Sequence, residues 1–297
     1  MAKPVNPQSA NGKPPGTLYL VGTPIGNLED ITLRALRVLK EVDLIACEDT
    51  RQTQKLLNHF GIEKRTISYH EHNELTRAAE LIMHLEQGSS IGLVTDGGTP
   101  GVSDPGYRLV SLAIRHRVPV EPIPGPSAFL AALVASGLPT DSFRFGGFLP
   151  AKSGQRRAAL ESIKDSPYTQ IFYEAPHRLM ESLEDMVEIL GSRRHVVVAR
   201  EVTKVHEEFL RGQAADVLNW LGLREEIRGE ITVLIGKAEE HGQPAVEQKN
   251  ARTRVRELMQ KEALDQREAM KRVAKELGVS KSEIYRKLQR DKPQGGS

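Results

Sequence analysis

From residue 17 onward, apolar and polar positions alternate between a strand-like period of two and a helix-like period of 3.6. Short β-rich runs at 17–21, 43–47, 66–70, 90–95 and 118–123 predict five strands. Helices are predicted between and after them. One begins near Thr32 with Leu33, Leu36, Leu39 and Val42 on one side. A second closes at Phe60 with Gly61 as a left-handed cap. Others cover 74–87, 107–117 and 127–135. Strands that alternate with helices in this way predict a parallel sheet covered on both faces.

The next stretch is patterned differently. Strands are predicted at 143–148, 169–173, 195–199, 207–211 and 231–235, with helices near 155–163, 179–190 and 214–221. No helix precedes the 207–211 strand, so this second sheet should be mixed. Residues 1–16, rich in Pro, Gly, Asn, Ser and Lys, are expected to be disordered. The expected organisation is therefore an N-terminal α/β domain at 17–125, a C-terminal α/β domain at 126–238, a linker at 239–250 and a helical module at 251–292. Within the module a helix at 266–277 stops at Gly278. Ser280 and Glu283 then form a capping box that opens another helix, a helix-turn-helix-like arrangement.

Charge sharpens that division. The 297 residues are 39% hydrophobic and 27% charged, with a formal net charge of only +2. Residues 248–292, however, hold fourteen Lys/Arg against seven Asp/Glu, a net of +7, which leaves −5 on the remainder. A basic tail on a mildly acidic body suggests an enzyme with a polyanion-facing end. Cys47 is the sole cysteine, which excludes a disulfide framework and a cysteine-ligated zinc site and fits a reducing cytoplasm. No apolar run approaches 18 residues, and the N-terminus has no apolar signal-peptide core, so no membrane partner is expected.

The common catalytic motifs are missing: no P-loop, no G-x-G-x-x-G after the first strand, no G-x-S-x-G and no H-E-x-x-H. His70 and His72 have metal-like spacing but no evident third ligand, so no metal is expected. What stands out is a set of loops, each just after a predicted strand: Gly22–Asn27, Glu48-Asp49-Thr50-Arg51, His70-Glu71-His72-Asn73, Asp96-Gly97-Gly98-Thr99-Pro100 running on to Ser103-Asp104-Pro105-Gly106, and Pro124-Gly125-Pro126-Ser127-Ala128. In open α/β sheets, ligands bind at the carboxyl ends of the strands. Five loops rich in Gly, Pro and acidic residues would meet at that edge.

Taken in this order, these segments resemble the tetrapyrrole-methylase superfamily of S-adenosylmethionine-dependent enzymes. Thr-Pro-Ile-Gly-Asn-Leu at 23–28, Glu-Asp-Thr-Arg at 48–51, Asp-Gly-Gly-Thr-Pro at 96–100, Gly-Phe-Leu-Pro at 147–150 and Phe-Tyr-Glu-Ala-Pro-His-Arg at 172–178 resemble the branch that 2′-O-methylates a cytidine of small-subunit ribosomal RNA. The resemblance implies two α/β domains with the cofactor, S-adenosylmethionine, in the cleft between them. It also implies a homodimer, and cofactor contacts at Ile25, Thr99, Val102, Ser127 and Ala128. Relatives often carry Gly-Asp-Pro where this chain has Gly98-Thr99-Pro100, so an acidic contact is expected to be missing.

Methyl transfer to a ribose hydroxyl needs a positioned acceptor and either a proton acceptor or a cation for the forming alkoxide. Glu48, Asp49, Asp96 and Glu174 are the candidate bases, and Arg51 and Lys152 the candidate cations. Asp49 with Arg51 is preferred because acid and cation share one turn; alternatively the two form an ion pair that shapes the loop. His177 and Arg178 are possible RNA contacts. Arg267, Lys271, Arg272, Lys275, Lys281, Arg286 and Lys287 are expected to grip phosphates of ribosomal RNA, free or in an assembled small subunit. The competing readings are a tetrapyrrole or protein side-chain methyltransferase of the same fold, and a nucleic-acid-binding regulator that senses S-adenosylmethionine.

Overall fold

The computed structural model describes residues 14–238, 255, 258–259 and 264–276. Residues 14–238 carry two five-stranded sheets. The first is wholly parallel and has the order β3-β2-β4-β1-β5, from β1 (Leu18–Val21), β2 (Leu44–Cys47), β3 (Thr66–Ser68), β4 (Ile91–Val94) and β5 (Val120–Ile123). Side chains alternate between its faces. Leu18 joins Leu44, Ile91 and Leu93 beneath α3 (Glu74–Glu86) and α4 (Tyr107–Arg115). Val21, Ile45 and Val94 pack under α1 (Leu33–Glu41) and α2 (Thr50–His59).

The second sheet has the order β6-β7-β10-β8-β9, from β6 (Phe143–Phe148), β7 (Thr169–Glu174), β8 (His195–Arg200), β9 (Glu208–Gln213) and β10 (Ile231–Ile235). Only β6 and β7 pair parallel; the other neighbours are antiparallel, so the sheet is mixed. Val196 and Val198 of β8 face α6 (Ser153–Ser162), α7 (Leu179–Leu190) and α8 (Ala214–Gly222). Val197 and Ala199 face α5 (Ala128–Ser136) instead. Ile25, from the loop after β1, packs into that α5 cluster, so one apolar contact ties the first sheet's ligand edge to the second sheet.

On α1 and its C-cap, Leu39 and Val42 are buried and Leu36 packs against the same cluster, so the expected apolar side faces the core except at Leu33. Ala35, Val38 and Leu39 are buried, while Leu33 is 86% exposed. Thr32 caps the helix by accepting the Ala35 N–H, which makes Leu33 its first residue and leaves it beyond the sheet. At the other expected boundary, Gly16 is buried and donates to Leu85 O at 2.8 Å, so it is fixed in place; residues 1–13 of the expected disordered segment lie outside the described residues. The helix Gln266–Glu276 belongs to a separate compact unit, where Val255 and Leu258 pack against Ala269, Met270, Val273 and Ala274. The expected linker at 239–250 and the capping box at Ser280 lie outside the described residues.

Two of the motif loops meet backbone to backbone. A Cβ on Gly22 would lie 2.8 Å from Gly125 Cα, and one on Gly125 would lie 2.8 Å from Gly22 Cα. Nothing flexible can yield there. Gly125→Ala is therefore expected to lower stability by about 1–3 kcal/mol, measured by denaturant unfolding.

Candidate active site

The carboxyl edge of the first sheet and the second sheet enclose a cavity of about 920 Å³. That is the size of a pocket for a cofactor-sized ligand, typically ~300–1,000 Å³. One wall is the loop after β1, where Thr23 pairs with Gly98 in a two-way bridge of 2.9 and 3.0 Å. A second wall is the turn Asp96–Asp104. Its Gly98, Gly101 and Ser103 all have positive φ, and Ser103, at +61°, is the strained member because it carries a side chain. A third is the start of α5. Ser127 caps that helix without spending its side chain on the cap, and the first turn's N–H groups and positive end are available to a ligand. The second sheet contributes Phe148, Tyr173, Glu174, Val202, Lys204 and Glu230.

Ile25, Thr99, Val102, Ser127 and Ala128 all line this cavity. So do Asp96 and Asp104. Burial pushes the Asp104 carboxyl up to about 6, and the charge of Glu48 adds to the shift. Asp96 is also raised, first by burial, although one of its oxygens accepts the Asp49 N–H at 3.1 Å. Glu48, raised by burial and by Asp96, stands behind them. The cavity thus concentrates negative charge where a cation would be welcome. Asp104 was not singled out in the sequence. The signal was the Ser-Asp-Pro-Gly that follows the Gly-rich turn, five residues beyond Thr99.

The Glu48–Arg51 turn lies at the rim. Asp49 is the N-cap of α2, and its carboxylate accepts from Arg51 N at 2.8 Å, Nε at 3.1 Å and Nη2 at 2.8 Å. These bonds hold Asp49 down at about 2, so it is a weak proton acceptor. They also fix a guanidinium that is 86% exposed. Glu174 lines the cavity but is 3% exposed and fully engaged. It accepts from Ala175 N at 2.8 Å, Ser182 Oγ at 2.6 Å and Arg178 Nη2 at 2.7 Å. Glu174 and Arg178 are therefore committed to each other and to the start of α7. His177 faces a second, shallower cavity with Met180 and Ile227, and Lys152 is the exposed N-cap of α6; neither lines the first cavity. Arg267, Lys271 and Arg272 are exposed on the helix Gln266–Glu276, which also carries Lys275. Lys281, Arg286 and Lys287 lie outside the described residues. Among the described residues no group of three or more His, Cys, Asp or Glu could hold a metal.

Lys204 is a wall residue that no local signal marks. Its stem lies on Gly26, where a Cβ would come within 2.3 Å of Lys204 Cγ. Its ammonium is held by Glu201 at 2.8 Å and Glu230 at 3.2 Å. Glu201 and Thr203 flank it with φ of 53° and 70°, and the pair of contacts pins the second sheet's turn to the first sheet's loop.

Residues 17–218 match the family model of the Tetrapyrrole (Corrin/Porphyrin) Methylases. A protein of Halalkalibacterium halodurans named Ribosomal RNA small subunit methyltransferase I is 51% identical over 272 residues, covering 91% of this chain and 93% of its own length. The protein of that name from Escherichia coli O157:H7 is 47% identical, covering 91% and 94%. Among solved structures, diphthine synthase aligns with a TM-score of 0.60 at 16% identity (74% of this chain, 90% of that one). Uroporphyrin-III-C-methyltransferase from Thermus thermophilus aligns with a TM-score of 0.51 at 22% identity (75% and 95%). The chain belongs to the tetrapyrrole methylase family, within the branch of the ribosomal RNA small subunit methyltransferases.

Proposed function

We propose that this protein is an S-adenosylmethionine-dependent methyltransferase that methylates the ribose 2′-oxygen of a cytidine in small-subunit ribosomal RNA, in the cytoplasm. The observation that carries this reading is the cavity. It brings Ile25, Thr99, Val102, Ser127 and Ala128 together, sets Asp96 and Asp104 among them, and belongs to a chain that shares about half its residues with proteins of that name.

The cofactor fits the donors present. It supplies a methyl group on a positively charged sulfur for in-line transfer to the ribose oxygen. Asp104 offers that charge a counter-ion and takes the place of the acidic residue that Thr99 lacks. Ser127 and the first turn of α5 suit a ligand carboxylate. Asp96 is the proton acceptor. It faces the same space, and its raised proton affinity makes it a better base than Asp49. Asp49 holds Arg51 at the rim, where the guanidinium meets a phosphate of the acceptor strand or steadies the developing charge. Arg267, Lys271, Arg272 and Lys275 add affinity without reading sequence. A second copy of the chain covers the outer face of α5, where Leu130 and Val134 stand 47% and 69% exposed on a helix that is apolar all round.

The test is methyl transfer from labelled cofactor to small ribosomal subunits that lack the modification, with the product mapped to base or ribose. Label on a ribose 2′-oxygen is expected. Label on a base, or none while cofactor still binds, would overturn the assignment.

A further inference from the structure

The helix α2 carries chemistry that the cofactor cavity does not use. On a helix turning ~100° per residue, positions 51, 55 and 59 fall within about 80° of one another. In α2 these are Arg51, Lys55 and His59, all exposed. Thr53 and Leu57 on the opposite side are buried against the first sheet, while Gln52, Lys55, Leu56 and His59 line the cavity. The stripe therefore runs along the mouth of the site. Its Lys55 has no carboxylate partner among the described residues. The ten residues of α2 include no carboxylate; Asp49 is committed to Arg51, and Lys55 Nζ reaches only the neutral Gln52 Oε1 at 3.2 Å. Some exposed cations elsewhere pair with carboxylates, as in Arg37–Glu41, Lys164–Glu161 and Arg228–Glu226. On a body whose charge outside residues 248–292 is −5, α2 sets the Asp49-held Arg51, the carboxylate-free Lys55 and the imidazole of His59 in one row beside the cavity.

We propose that the Arg51–Lys55–His59 edge of α2 is a phosphate track for the acceptor RNA, holding successive backbone phosphates of a single strand so that one ribose enters the cavity. The proposal rests on the RNA acceptor assigned above and assigns Lys55 and His59, which no motif singled out. Side chains one helical turn apart stand ~5–6 Å from each other, close enough to contact adjacent phosphates of an extended strand. Gln52 and Leu56, inward of the track, face the sugar and base rather than the backbone.

The experiment is binding of deproteinised small-subunit ribosomal RNA across a salt series by Lys55→Gln, His59→Gln, the double variant and Lys55→Arg. Thermal unfolding and the far-ultraviolet circular dichroism spectrum, measured in parallel, check that each variant is folded. The double variant is expected to bind RNA about 5–20-fold more weakly at moderate salt. Its plot of log affinity against log salt should be shallower by about 0.7, the Lys55 phosphate's worth for a single strand, with His59 contributing through hydrogen bonding. Lys55→Arg should restore most of the slope. A double variant with the wild-type slope overturns the track, whether or not turnover falls. Failure of the functional reading looks different: the wild-type protein would place no label on ribose even though its RNA binding keeps the α2-dependent slope.

Discussion

Asp104→Asn is expected to cost about 10–150-fold in affinity for S-adenosylmethionine while making the free protein more stable. Asp104 lines the cavity, and burial raises its carboxyl to about 6. A contact between an ionised group and its partner contributes about 1.5–3 kcal/mol, which converts to that range at ~1.4 kcal/mol per tenfold. The stability effect has the opposite sign. A carboxyl whose folded value lies above its unfolded one disfavours the folded state once pH passes the unfolded value near 3.8, and the cost is fully present above about 6. The neutral amide removes it, so at pH 7.5 the variant should gain on the order of 1 kcal/mol, since solvent screening of this half-buried carboxyl discounts the full shift. Calorimetric titration and denaturant unfolding on the same preparations check both halves. The pH dependence follows from the same carboxyl. Cofactor affinity should rise as pH passes upward through about 6 in the wild type and stay flat there in Asp104→Asn. Loss of affinity together with loss of stability would instead mark Asp104 as a structural residue of its turn.

Asp104 also shows where the sequence was legible and where it was not. All ten strands of residues 18–235 fall where hydrophobic patterning placed them, because strands covered on both faces, such as β2, β4 and β10, read as short apolar runs bounded by turn residues. The convergence of the motif loops was legible too: each follows a parallel strand, and parallel strands share one carboxyl edge. Roles within the loops depend on backbone turns that no period encodes. Ser103 at φ 61° and Gly101 at φ 82° fold the chain so that Asp104 reaches the same cavity as Thr99. Glu174 reads as a candidate base from its motif; Arg178 and Ser182, four and eight residues on, close over it only when α7 forms. Lys204 meets Gly26 across 178 residues, a contact visible only once both sheets are in place. Leu33 failed by a smaller margin, since one residue past a helix cap is one residue beyond the sheet's reach.

Asp96→Asn is expected to separate chemistry from binding. The amide keeps the shape of the side chain, and its oxygen still accepts the Asp49 N–H that links the cavity to the α2 rim. Affinity for cofactor should stay within about threefold, and RNA affinity should hardly move. Turnover should fall by about 10²–10⁴, the contribution typical of a positioned general base. The wild-type rate should decline on the acid side with a midpoint above the ordinary carboxylate range, because burial favours the protonated Asp96 and the neighbouring Asp49 charge adds to that. The variant should lack this limb. Single-turnover methyl transfer with saturating cofactor and small subunits reads both. Arg51→Gln should behave differently, raising KM for RNA more than it lowers the single-turnover rate, because its guanidinium stands 86% exposed at the rim rather than within the cavity. If Asp96→Asn turned over at the wild-type rate, the proton would have to leave by another route. Glu48, next in the same run of raised carboxyls, is the residue whose Gln variant would then be expected to fail. The division of labour is thus decided by two numbers per variant, one for binding and one for transfer: Asp104 should move the first, Asp96 the second.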